Sequence, residues 1–213
     1  MDNNRIEDER KEQVVNAFLE EIFYNVETVN YVKKTDKESQ VKGIDTTFTF
    51  DGRNYLCDEK AAVNYVNRDF KLNTFCLELS ALNKLGKEFM GWFLDPKKEN
   101  DSYIFVWLDK ARSSKLVAPG DIYRAEMALV SRIKLIELLF SRGLTEQRVY
   151  EIMKGFREDK NFGTEYGPHK NRYVVQNGIK FTFSPSLKEK PINLLIGRED
   201  LKSIADYRRI YIK

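Results

Sequence analysis

Residues 44–63, "IDTTFTFDGRNYLCDEKAAV", decide how the rest of the chain is read. Two strand-like runs flank Asp51-Gly52, a dipeptide suited to a tight hairpin because both central positions of such a turn take φ > 0. Three charged residues, Asp58, Glu59 and Lys60, interrupt the second run. Alternation along that strand puts Leu56, Asp58 and Lys60 on one face and Tyr55, Cys57 and Glu59 on the other. If Asp51 and Gly52 alone form the turn, Phe48 faces Tyr55 and Asp45 faces Asp58, with Cβ atoms about 5 Å apart. A four-residue turn over "DGRN" sets Asp45 against Lys60 with Asp58 diagonal to it. A three-residue turn opposes Asp45 to Glu59 and dismantles the cluster, so register carries the inference.

Upstream, "EDERKEQVVNAFLEEIFYN" places Val14, Val15, Phe18, Leu19, Ile22 and Phe23 at helical spacing over residues 7–25, with an acidic first turn that suits the helix dipole. Downstream, "TFCLELS" reads as a third strand. "ALNKLGKEFMGWFLDPKKEND" reads as a loop-rich connection, and "SYIFVWLDKA" as a strand buried on both faces. Residues 121–140 read as a long helix capped by Asp121, and "TEQRVYEIMKGF" as another capped by Thr145. After the turn-rich "NFGTEYGPHKN" come a hairpin about Asn-Gly, "RYVVQNGIKFTF", a strand, "INLLI", and a closing helix, "REDLKSIADY". The expected fold class is α/β in the broad sense, an α+β domain with a mixed sheet.

At 213 residues, 42% of them hydrophobic, the chain is long enough for one core, and a single domain over 1–213 is expected. Lys and Arg number 36 against 33 Asp and Glu, so any basic surface must be local. Cys57 and Cys76 fit a reduced compartment and fall short of a zinc site. The charged N-terminus and the lack of a long apolar run lead to the expectation of a soluble cytoplasmic protein without membrane contact. No P-loop or dinucleotide fingerprint is present, and no nucleophile elbow surrounds a serine, so nucleotide hydrolysis, dinucleotide redox chemistry and a Ser-His mechanism have no support.

Like charges directly opposed across a sheet destabilise it by roughly 0.2–1 kcal/mol, so a pairing of Asp45 with Asp58 needs compensation. A divalent cation supplies it, since Mg²⁺ takes one or two carboxylates together with water and phosphate oxygens. A neighbouring lysine then orients the attacking water or stabilises charge on the phosphate.

The order "GID" with Asp45, a hairpin, and "DEK" with Asp58 and Lys60, all after a helix, resembles the PD-(D/E)XK nuclease superfamily. The likeness covers roughly residues 9–110. It implies a restriction-endonuclease-like αβββ core over 5–112, with 119–160 as a helical insertion and 171–213 as a hairpin, strand and helix completing the domain. It also implies a Mg²⁺- or Mn²⁺-dependent deoxyribonuclease, an endonuclease acting on DNA. Asp45, Asp58 and Lys60 would be its catalytic set, joined by Glu21 from the first helix and Glu78 from "TFCLELS", with Asp45, Asp58 and Glu59 as metal ligands. No proline precedes Asp45, a departure from the motif. Pairing of two copies would let such a protein cut both strands of a duplex.

Two other classes remain open on the sequence alone: a nuclease-fold protein that binds nucleic acid or assembles without cutting, and a plain structural α+β protein with Asp58 and Lys60 on a solvated strand face. The basic stretches "NRDFK", "KARSSK" and "KGFREDKN" are the local candidates for phosphate contact. Trp92 and Trp107 read as core or cleft wall rather than as stacking platforms.

Overall fold

The computed structural model describes residues 3–63, 72–111 and 116–213. In chain order, helix α1 (Asn3–Leu19) runs into a π-helical turn (Glu20–Tyr24) and the short α2 (Asn25–Glu27). Then follow β1 (Val29–Lys33), α3 (Lys37–Val41), β2 (Thr46–Phe50), β3 (Arg53–Ala61), β4 (Thr74–Leu82), β5 (Glu88–Met90) and β6 (Ser102–Ala111). After a 3₁₀ turn at Pro119–Asp121 come β7 (Ile122–Ser131), α4 (Arg132–Ser141), α5 (Glu146–Glu158), β8 (Thr164–Tyr166) and β9 (Asn171–Gln176). The chain ends with β10 (Ile179–Phe183), β11 (Ile192–Gly197), α6 (Arg198–Ser203) and β12 (Tyr207–Ile212). This is an α+β protein with one mixed sheet and one antiparallel sheet.

The chain falls into two compact units. The first comprises residues 1–73, 99–133 and 201–213, and the second comprises 74–98 and 134–200. In the first unit the strand order is β1-β2-β3-β6-β7-β12, antiparallel except where β6 lies parallel to β3. Helix α1 covers one face: Val15, Phe18 and Leu19 pack with Tyr55, Cys57, Ile104 and Met127 in a single apolar cluster. The π turn widens the helix by one residue in its last turn, so Phe23 and Tyr24 both enter that core. Phe23 is fully buried among the rings of Tyr24, Phe48, Phe50 and Tyr207.

In the second unit the order is β5-β4-β11-β10-β9-β8, antiparallel throughout. One face is buried against α5, where Phe156 stacks on Phe183 and accepts at its backbone oxygen a hydrogen bond of 2.8 Å from Arg172. Thr145 caps α5 by accepting from the Arg148 backbone N–H at 3.2 Å, as its position predicts. The Asn177-Gly178 hairpin also forms, with positive φ at both residues.

Three elements differ from the sequence reading. Residues 122–131 are not the first half of a long helix but strand β7, buried along nearly its whole length between β6 and β12. The helix-favouring residues of "IYRAEMALVS" are overridden by that double pairing. Asp121 is accordingly no helix cap; its Oδ2 accepts from the backbone N–H groups of Val117 and Ala118 at 3.0 and 2.9 Å. The third strand beside the hairpin is β1 rather than "TFCLELS", which is β4 of the second unit's sheet. The closing helix stops at Ser203, and Tyr207–Ile212 pairs with β7 as an edge strand.

Because Phe23 joins α1, the hairpin and β12 in one cluster, Phe23→Ala should destabilise the protein by about 3–5 kcal/mol. Urea denaturation checks this; a loss below about 1 kcal/mol would contradict the packing described.

Candidate active site

The turn at Asp51-Gly52 has φ of 48° and 72°, the left-handed pair that a two-residue hairpin turn needs. It sets Phe48 opposite Tyr55, Thr47 opposite Leu56 and Thr46 opposite Cys57, which is the first of the three registers considered above. Asp45 lies one step beyond this ladder. Its backbone N–H donates to the Cys57 carbonyl at 2.9 Å, and its Oδ2 accepts from the Glu59 backbone N–H at 2.9 Å. The acid is thereby held beside Asp58.

Asp58 is 3% exposed, and its Oδ1 accepts from the Lys60 ammonium at 2.5 Å. Strand alternation aims both side chains to one face of β3. Burial pushes the Asp58 carboxyl up to about 7, with the Asp45 carboxyl raising it further by charge and hydrogen bonding and Lys60 opposing. Burial pulls the Lys60 ammonium down, but Asp58 and Asp45 outweigh it and hold the group above its ordinary value. The two carboxylates share the Lys60 ammonium, and burial disfavours a negative charge on Asp58. A proton on Asp58 balances it near neutral pH, and a bound cation is the other way to balance it.

Glu59 faces the opposite side. Tyr24 donates its hydroxyl to Oε1 at 2.6 Å and Lys33 its ammonium to Oε2 at 2.8 Å. Asn16, in the amide orientation that satisfies its partners, donates to Oε2 at 2.7 Å and accepts from Lys33 at 3.2 Å. The carboxylate of Glu59 is thus not brought together with those of Asp45 and Asp58. What it does is anchor β3 to α1 and β1 at the residue whose backbone N–H holds Asp45.

Two further predicted residues belong to other elements. Glu21 lies in the π turn with its side chain exposed, where it accepts from Lys213 Nζ at 2.6 Å. Glu78 belongs to β4 of the second unit, paired in register with Asn193, on a different sheet from the carboxylate pair. The reading missed Tyr103, the β6 register partner of Asp58. Its phenol is pushed up by burial and by Asp58, with Asn100, Arg132 and Lys60 working the other way. Within the apolar run "SYIFVWL" nothing distinguished it from core.

Of the basic stretches, residues 67–71 and 112–115 lie outside the described residues. In the third, Arg157 is tied to Glu88 at 2.9 Å, to Ser80 at 3.0 Å and to the Lys190 carbonyl at 2.7 Å, so it serves the second unit's own structure.

Among the described residues, no group of three or more His, Cys, Asp or Glu side chains is arranged to hold a metal ion. The donor chemistry of the pair still fits Mg²⁺ or Mn²⁺. Lys60 takes one oxygen of Asp58 and the Glu59 N–H one of Asp45, and the two carboxyls also hydrogen-bond each other, so a cation would replace the proton between two hard carboxylate donors, the number Mg²⁺ uses when water and substrate complete its shell. No helix among the described residues is long and apolar enough to cross a membrane. No family model matches this sequence, and no curated protein or solved structure matches it either.

The raised Asp58 carboxyl makes stability depend on pH in a definite direction. Its folded value of about 7 exceeds the ordinary 3.8, so the stabilisation from protonation is complete below the lower value and is lost as pH rises through the higher one. In chelator, wild type should lose stability relative to Asp58→Asn by at most about 1.4 kcal/mol per pH unit across that window. Urea denaturation of both proteins at about pH 5 and about pH 8 reads the difference; parallel pH dependences would contradict it.

Proposed function

We propose that this protein is a metal-dependent nuclease hydrolysing DNA phosphodiester bonds, with Asp45 and Asp58 as ligands for Mg²⁺ or Mn²⁺ and Lys60 as the assisting base or charge stabiliser. The observation that carries the reading is the convergence of two carboxylates and a lysine at the end of the β2–β3 hairpin, fixed by its two-residue turn. A bound divalent ion would supply Lewis-acid stabilisation of negative charge on the phosphate. The chain's own groups contribute the rest. Lys60 places a positive charge beside the carboxylates, where it can face a phosphate oxygen or orient water. Asp58 changes its proton occupancy near neutral pH, which suits a group that must give up a proton before taking a cation. The Glu59 anchor keeps Asp45 in position through the backbone. The helix followed by an antiparallel β1-β2-β3 meander also agrees with the order that the PD-(D/E)XK resemblance implies.

One observation favours a second reading, a nucleic-acid-binding or assembly module without catalysis: the described acids form no three-ligand group, and Lys60 already occupies one Asp58 oxygen. Metal titration and cleavage together separate the two. Calorimetric titration with Mn²⁺ should give binding by wild type that weakens about tenfold or more in Asp58→Asn and in Asp45→Asn, and wild-type affinity should rise with pH through about 7. Cleavage of circular and linear DNA with Mg²⁺ should disappear in chelator, in Asp58→Asn and in Lys60→Ala. Absence of acid-dependent metal binding would favour the non-catalytic module, and cutting that survives both substitutions would place the chemistry elsewhere.

A further inference from the structure

The second unit's sheet packs one face against α5 through Phe183, and on its other face the β8–β9 end is the accessible part. Register puts Thr164, Tyr173, Thr182 and Asn193 side by side on this face, Thr182 itself buried, with Lys180 between Val175 and Leu195 next to them. Tyr166 extends the row along β8, a strand exposed over its whole length. This is a polar and aromatic surface, unlike the apolar layer formed by Phe181, Phe183, Leu194 and Leu77 on the other side. The Lys180 ammonium lies 4.2 Å from the Tyr173 ring centroid and 4.9 Å from that of Tyr166, and the two rings are 5.5 Å apart. Tyr166 is 39% exposed and Val175 56%. Lys170 adds an exposed cation in the turn between β8 and β9.

Charge is divided unevenly along the chain. The second unit carries sixteen Lys and Arg against twelve Asp and Glu, whereas the first carries twenty against twenty-one. The modest positive balance of the protein therefore resides in the unit that holds this face.

We propose that the accessible β8–β9 end of this face, with Lys180 of β10, binds single-stranded nucleic acid, with bases against Tyr166 and Tyr173 and the phosphate chain along Lys180 and Lys170. Two neighbouring aromatic rings on an open antiparallel sheet provide the sequence-tolerant stacking surface that unpaired bases use, and adjacent lysines follow the backbone charge. A duplex keeps its base faces stacked inside and offers no partner for the rings. Val175 and Leu195 also lie on this face and Glu78 stands beside Asn193, so the cationic and aromatic part is the β8–β9 end with Lys180. The proposal does not depend on the carboxylate pair of the first unit.

Fluorescence anisotropy of the full chain in chelator, where metal-dependent cutting cannot interfere, tests it with a labelled oligo(dT) of about 20 nucleotides and a duplex of equal length. The single strand should bind more tightly than the duplex, and binding should weaken when salt rises from about 50 to 200 mM. Tyr166→Ala with Tyr173→Ala should weaken it by about tenfold or more, while the paired phenylalanine substitutions keep it within about twofold, because stacking needs the ring and not the hydroxyl. Should the alanine pair fail to fold by circular dichroism, Lys180→Glu is the second arm, with a loss of about fivefold or more expected from charge reversal. No binding by wild type, a preference for duplex, a folded alanine pair that binds like wild type, or an indifferent Lys180→Glu would each overturn the proposal. If cleavage fails while oligo(dT) binding tracks the tyrosines, the nuclease reading falls and this one stands.

Discussion

A two-residue turn at Asp51-Gly52 decides which side chains of β3 meet the end of β2. Because strand side chains alternate, a slip of one residue would carry Asp58 and Lys60 to the helix side and bring Glu59 to the other. The positive φ of Asp51 and Gly52 makes the tight turn cheap, and Phe48 stacked on Tyr55 at 5.2 Å holds the register from within the strands. Everything at the candidate site follows from that choice. Asp45 comes to rest on the Glu59 N–H, Asp58 is buried beside it, and Lys60 reaches Asp58 from two residues along the same face.

The same strand carries two electrostatic arrangements of opposite character. On the helix side, Glu59 is matched by Lys33 and hydrogen-bonded by Tyr24 and Asn16, so its charge is compensated and its role is anchoring. On the other side, two carboxylates share one lysine. A folding requirement alone would not place an aspartate that is 3% exposed next to a second aspartate. Such an arrangement is reasonable where a proton and a cation compete for the same oxygens, and this contrast within five residues of sequence is the physical basis of the functional reading.

Much of the hairpin was legible in the sequence. Asp-Gly between alternating runs has few other solutions, and the Asn177-Gly178 hairpin formed for the same reason. The misses have separate causes. Strand β7 carries a central run of helix formers, Arg124 to Leu129, and its pairing on both sides overrides them. Strand β1 is short and polar, interrupted by Asn30 at a φ of 56°, with a bulge against β2 that blurs its period. The π turn could not be anticipated from 3.6-residue spacing, and Tyr24 is buried at its end. Local pattern could not assign β4 to the second sheet, because that depends on its long-range pairing with β11.

The central claim is that Asp58 sits in a buried carboxylate pair that a divalent cation can enter. Carboxyl-carbon NMR of Asp58, titrated with pH in chelator and again in Mg²⁺, measures this at the atom concerned. The account predicts an apparent pKa near 7 in chelator that falls when Mg²⁺ is added, because metal and proton compete for the same oxygens. An Asp58 that titrates in the ordinary carboxylate range, unchanged by Mg²⁺, would contradict it.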